Sequence, residues 1–327
     1  MHFVTGKCRA AAAAGVVFTS VVSLTLALRA EPETAHHADL GANASLHGQI
    51  LLPPDNPWNK DISDEPVDPN SDALVASIGK SKKLHPDFGT TLDGQPWGIP
   101  YVVVSGEQAK VPVEFQYKDE SDPGPYPVPA DAPIEGGPKS DGDRHVLVLD
   151  RDHRILYELF GAFPLVDGKQ WKAGSGAIWD LKTNKLRPAG WTSADAAGLP
   201  ILPGLVRYDE IEAGSIKHAI RFTVVHSRHA YVAPATHFAS PNKNPNLPPM
   251  GMRVRLKHDF DVSKFPRTVQ IILTAMKTYG MIVADNGGDW FFDGAPDPRW
   301  NNDEIDTLKK VKGSDFEVVR MGEVVTR

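Results

Sequence analysis

The chain has 327 residues, 41% of them hydrophobic, with a formal net charge of −6 and a mean hydropathy of −0.29. That is enough apolar material for a sizeable core and too little for membrane spans beyond the first thirty residues. The acidic balance argues against a nucleic-acid partner, and Cys8 as the one cysteine removes disulfides, thiol nucleophiles and thiolate metal sites from consideration for the body.

In chain order, Lys7 and Arg9 precede an uncharged run, Ala10–Leu28, that ends at Arg29-Ala30 before Glu31. This is the form of an export signal, removed from the mature protein. The run approaches the length of a membrane span, so an uncleaved N-terminal anchor is the rival reading; either way the body is secreted or displayed outside the cell. Loss of Lys7, Arg9 and Arg29 moves the formal charge from −6 to −9. Residues 31–56 read as a mobile spacer that becomes ordered near Ile50. Residues 57–327 show no break in composition, which predicts a single domain.

Strand signals dominate that body. Ile99–Val104 and Val111–Tyr117 form a plausible pair around Ser105-Gly106, and Arg144–Leu149 with Arg154–Phe160 reads as a hairpin. The proline-rich stretch Asp122–Pro138 contains Tyr126, Val128 and Ile134, so an extended arm across the domain surface fits it better than a hinge. Further strands are expected at Ile216–Val225, Ala230–Ala233, Met252–Leu256, Met281–Ala284, Trp290–Phe292 and Phe316–Val319. Helices are fewer: short ones at Asp72–Ile78, Val206–Glu212 and Asp303–Lys310, and a clear one at Arg267–Tyr279. In the last, Val269, Ile272, Met276 and Tyr279 share a face and Gly280 supplies the stop. The expected fold is mainly β, sandwich-like or α+β, with two or three short-to-medium helices. No GxGxxG or GxxxxGK[ST] loop is present, so no nucleotide cofactor is expected, and none of another kind.

Four constellations carry candidate chemistry. Asp143 and His145 stand two apart at the entry of the strand VLVLD, a spacing that puts a carboxylate and an imidazole on one face; a polar turn before an edge strand is the plain alternative. The tract Gly190–Glu210, GWTSADAAGLPILPGLVRYDE, interleaves charge with a Gly/Pro-punctuated apolar loop. Asp195 and Glu210 from its two ends would form an acid–base pair, with Trp191 and Arg207 beside them. The plain alternative is that Ser193 or Thr192 caps a short helix with Asp195 in its first turn, and that Arg207 pairs with Asp209 or Glu210. His218, His226, His229 and His237 fit no metal motif, so no metal site is expected, although His218 and His237 remain candidates for a site. Asp285-Asn286-Gly287 reads as a turn or, with Trp290, as amides, carboxylates and an aromatic face for sugar hydroxyls and C–H faces. Gly174-Ser175-Gly176 lacks the spacing of a nucleophile elbow.

At GSGAIWDL, GWTSADAAGLPILPGLVRYDE, LPPMGMRVRLK, KTYGMIVADNG and GSDFEVV the chain resembles a group of secreted, mostly uncharacterised bacterial proteins, over about Asn56 to Val319. Members sometimes joined to sugar-binding modules imply polysaccharide as the theme, and the resemblance carries no mechanism to these residues. The leading expectation is an exported glycoside hydrolase without cofactor, acting on polysaccharide or oligosaccharide. Asp195 and Glu210 would act as acid and base with Asp143 and His145 in support, while Trp191, Arg207, His218, Asp285, Asn286 and Trp290 bind substrate. A non-catalytic polysaccharide-binding protein and a metal-dependent hydrolase drawing on His145, His218 and His237 are the rivals.

Overall fold

The computed structural model describes residues 1–3, 6 and 38–326. The export leader read at residues 1–30, Cys8 and the start of the spacer fall outside those residues, apart from the first few positions. Among the described residues no helix is long and apolar enough to cross a membrane.

Two large sheets explain why so many strands are almost continuously apolar. In the first, the order is Gly41–Ala42, Tyr101–Val104, Val146–Asp150, Ile155–Phe160 and Ser175–Asp180. Side chains alternate across a strand, and here both faces are buried. Tyr101, Val103, Leu147 and Leu149 enter the main core, while Val102, Val104, Val146 and Val148 enter a second one. A strand covered on both sides has no solvated face to furnish with polar residues, so YVVV and VLVL suit the position. The expected hairpin is present, with Val146–Asp150 antiparallel to Ile155–Phe160. The expected pairing of Ile99–Val104 with Val111–Tyr117 is absent. Tyr101–Val104 runs parallel to Val146–Asp150, and Val113–Phe115 joins a small sheet with Gln170–Ala173 and Phe163–Leu165. Val111 instead exchanges backbone bonds with Tyr126 of the proline-rich arm, which lies over the second core with Tyr126 and Val128 buried.

The second large sheet runs Phe316–Val318, Arg253–Leu256, Met281–Asn286, Ile220–Val224, Phe291–Asp293 and His85–Asp87. Its inner face contributes Ile220, Phe222, Val224 and Phe292 to the main core. The helix Arg267–Thr278 lays Val269, Ile272 and Met276 into that core, all fully buried. It stops where predicted: Gly280 takes φ +70°, a conformation that favours glycine, and its N–H returns to the Ala275 carbonyl at 3.0 Å. The helices Ser71–Ile78, Tyr208–Glu212 and Asn302–Asp306 are short, the last continuing as a 3-10 turn over Thr307–Lys310. The architecture is mainly β with a few helices.

The spacer, expected to become ordered only near Ile50, packs into the body from Ala38 onward. Gly41–Ala42 adds an edge strand to the first sheet, Leu46 is fully buried, and the Gly48 N–H donates to Asp209 Oδ2 at 2.7 Å. Few aromatics made this stretch look solvated; Leu46, Leu51 and Leu52 bury it instead.

Glu158 interrupts the apolar strand ILYELF and is wholly buried. Its carboxylate accepts from Trp179 Nε1 at 3.0 Å, from the Ile201 N–H at 2.9 Å and from the Leu202 N–H at 2.9 Å, tying the apolar tract Leu199–Leu205 to the first sheet. Burial raises its pKa against the opposing pull of those N–H groups. Glu158→Gln turns an N–H toward donors that need an acceptor, and a loss of about 2 kcal/mol in urea unfolding is expected.

Candidate active site: a carboxyl cluster around Arg221

The second sheet places its polar residues by register. Phe292 faces the core, so its neighbours Phe291 and Asp293 face the other way. Asp293 is the register partner of Asp87, and Phe291 that of His85. On the adjacent strand Phe222 pairs with Phe292, which turns Arg221 to the same side as Asp293. Arg221 is 3% exposed and clamps two carboxylates: Nη1 donates to Asp293 Oδ2, while Nε and Nη2 reach Asp195 at 3.3 and 3.2 Å. A register shift after Phe222 brings Asp285 opposite Thr223, where its Oδ2 accepts from the Ala196 N–H at 3.4 Å.

Asp195 arrives on a turn held by its own polar neighbours. Ser193 Oγ donates to the Leu199 carbonyl at 2.6 Å and accepts from the Asp195 N–H at 2.9 Å, while Ser175 Oγ donates to the Ser193 carbonyl at 2.6 Å. Gly198 closes the turn at φ +71°, where a Cβ would stand 2.6 Å from the Trp191 carbonyl oxygen. The short helix expected to follow Thr192 and Ser193 is absent, and their hydroxyls fix a turn instead, both within hydrogen-bonding distance of the Asp195 carbonyl. The turn also meets His145. Nε2 of that ring bonds the Ala194 carbonyl at 3.0 Å and Nδ1 bonds Glu135 Oε2 at 2.6 Å. A carbonyl and a carboxylate only accept, so both ring nitrogens carry protons and His145 is a cation.

The electrostatics follow from this arrangement. Burial raises Asp195 to about 8 against the opposing Arg221, with Asp285 adding repulsion. Burial likewise raises Asp293 to about 6 against Arg221, and raises Asp285. For His145 burial works toward the neutral form, but Glu135 outweighs it and the pKa stands near 9. The same pairing holds Glu135 below its ordinary value despite burial. Asp195, Asp285, Asp293 and Glu135 thus share two cations, Arg221 and His145, and burial favours the protonated form of the three aspartates against Arg221, most strongly at Asp195.

A pH dependence with a definite sign follows. The folded pKa of His145, about 9, exceeds its unfolded value of 6.5, so its contribution to stability is complete below 6.5 and is lost as pH rises through 9. Asp195 binds its proton more tightly folded than unfolded between 3.8 and about 8, so stability falls with rising pH there too. Glu135 contributes above its ordinary 4.5 and is unchanged in this window. Thermal unfolding should show a melting temperature that falls steadily from pH 6.5 to pH 9; a rise would contradict the assignment.

The remaining predicted residues land elsewhere. Glu210 does not meet Asp195. It sits in the first turn of the helix Tyr208–Glu212, where Oε1 accepts from Arg207 Nη2 and His218 Nε2, each at 2.9 Å, and Oε2 from the Arg207 N–H at 3.2 Å. Burial is outweighed by Arg207 and His218, so its pKa is lowered, the reverse of what a general acid needs. Arg207 and His218 therefore hold Glu210 rather than substrate, as the local ion-pair alternative has it. Asp143 is exposed and its place beside His145 is taken by Glu135. Trp290 is fully buried, stacked with Phe316 at 5.1 Å between centroids and donating Nε1 to the Gly79 carbonyl at 3.0 Å, so it offers no face to a sugar. Trp191 is half-buried with the Arg187 guanidinium 5.5 Å from its ring, and Asn286 is exposed, donating to the Ala239 carbonyl at 3.3 Å. His237 bonds the Ala196 carbonyl at 2.7 Å, and among the described residues no group of three or more His, Cys, Asp or Glu side chains has metal-binding geometry. Sequence reasoning missed Glu135 and the roles of Arg221 and Asp293. A lone arginine inside the apolar run IRFTV was the available signal, because a buried cation requires carboxylate partners. Compared with protein families, curated proteins and solved structures, the chain finds no match.

Proposed function

We propose that the protein is an exported hydrolase of glycosidic bonds in polysaccharide, with its acid–base chemistry in the Arg221 carboxyl cluster. The observation that carries this reading is a set of four carboxyl groups around two buried cations, in which burial favours the protonated form of Asp195 and Asp285, while Glu135 is held ionised beside His145 and Asp293, at about 6, is ionised at neutral pH. Glycoside hydrolysis requires that division: an acid for the leaving oxygen and a carboxylate for water or the anomeric carbon. Asp195 is 1% exposed and serves as a positioning group. Asp285, half-buried beside it with its pKa raised by burial, is the general acid, and Asp293, with a side chain 12% exposed, is the ionised partner. The leader-like start of the sequence and the resemblance to secreted proteins joined to sugar-binding modules support export and a polysaccharide substrate.

The test is a polysaccharide panel with reducing-end detection, run on wild type, Asp285→Asn and Asp195→Asn. Asp285→Asn should lower kcat at least about 100-fold. Asp195→Asn should move the alkaline limb of the pH–rate profile. Turnover untouched by either change would remove the cluster from catalysis. Polymer binding without release of reducing ends on any substrate would make the protein a non-catalytic polysaccharide-binding protein.

A further inference from the structure

On the same sheet face as Asp87 and Asp293, the preceding pair of register partners is His85 and Phe291, whose rings stack at 3.8 Å with 5° between planes. Two residues along a strand is roughly 7 Å. His85 and Phe291 line an open cavity of about 420 Å³ together with Lys82, Lys83, Lys309 and Asp289. Three lysines line it against Asp289, with Asp306 paired to Lys309 beside it, which leaves a local excess of one positive charge on a chain whose net charge is −6. Lys82 is paired with Asp289 and Lys309 with Asp306, while Lys83 is exposed and has no ion pair among the described residues. Nδ1 of His85 is buried without a hydrogen-bond partner among the described residues.

We infer that this pocket is a subsite for a sugar carrying a carboxylate, so that the substrate is an acidic, uronate-bearing polysaccharide. The inference rests on the polysaccharide reading above and names its substrate class. Lysine ammonium groups take the carboxylate, and the His85–Phe291 pair supplies an apolar surface for the C–H face of a pyranose ring. The offset along the strands sets this sugar close to the one whose bond meets Asp293. Nucleic acid would need basic charge spread along a surface; one uronate per subsite needs only a local pocket.

The experiment is calorimetric titration of the full chain with trigalacturonate, cellotriose and inorganic phosphate, on wild type and on the double variant Lys83→Ala/Lys309→Ala, with folding checked by thermal unfolding. Trigalacturonate should bind more tightly than the other two, shift the ring signals of His85 in an NMR spectrum, and lose at least tenfold in affinity in the double variant. Equal affinity for phosphate would assign the pocket to a free anion and overturn the sugar. No trigalacturonate binding, or binding indifferent to the lysines, would overturn the subsite. The two readings fail separately. Hydrolysis of neutral polysaccharide without uronate binding retains the hydrolase and rejects the subsite, and lysine-dependent uronate binding without turnover on any polymer does the reverse.

Discussion

Replacing Arg221 by methionine is expected to lower the free energy of unfolding by about 3–5 kcal/mol, because it leaves Asp195 and Asp293 buried with their shared cation gone. Methionine keeps much of the length of the side chain, so packing loss is a minor part. The deficit should also depend on pH. Without the guanidinium the two carboxyl groups take up protons more readily, and a protonated pair is far less costly to bury than an ionised one. Urea unfolding should therefore show a smaller loss at pH 5 than at pH 8. A loss under about 1 kcal/mol, or one independent of pH, would mean that the pair contributes little to the fold.

Trp290→Ala is expected to lose about 3–5 kcal/mol through the cavity left by a fully buried indole. The ring lies between Phe222, 5.8 Å away between centroids, and Phe316, and its N–H ties the Gly79 carbonyl at the end of the helix Ser71–Ile78 to the second sheet. Removing it takes out both the packing and the donor. Any polysaccharide binding measured on the folded fraction should survive. A stable Trp290→Ala protein with lost sugar affinity would restore the stacking role that burial takes from this residue.

Local patterning made much of the fold legible. The face Val269, Ile272, Met276 and the stop at Gly280 gave the long helix, and the apolar run VLVLD with Asp150–His153 gave the hairpin. Pairing between distant segments was not legible. Two apolar strands separated by a short turn suggest a hairpin, yet Tyr101–Val104 finds its partner more than forty residues on, because both faces of that sheet need cover from elsewhere. The site divides the same way. Asp195 was visible as a carboxyl group in an apolar tract and Asp285 as one in a turn, but Arg221 is 26 residues from Asp195 and 72 from Asp293, so only the fold brings Asp195, Arg221 and Asp293 together. Glu210 misled for the opposite reason. Its bonds are to Arg207 and His218, three and eight residues away, a local ion pair at a helix start that carries no trace of a distant partner.

The central claim is that the Arg221 cluster keeps a carboxyl proton at neutral pH. Carboxyl-carbon NMR titration of the aspartates in wild type and Asp195→Asn tests it directly. One aspartate signal should titrate near pH 8 and disappear in Asp195→Asn, with a second titrating near pH 6 from Asp293. If every aspartate carboxyl instead titrates below about pH 5, near or under its ordinary value, no proton is held and the cluster is a structural ion pair rather than an acid–base centre.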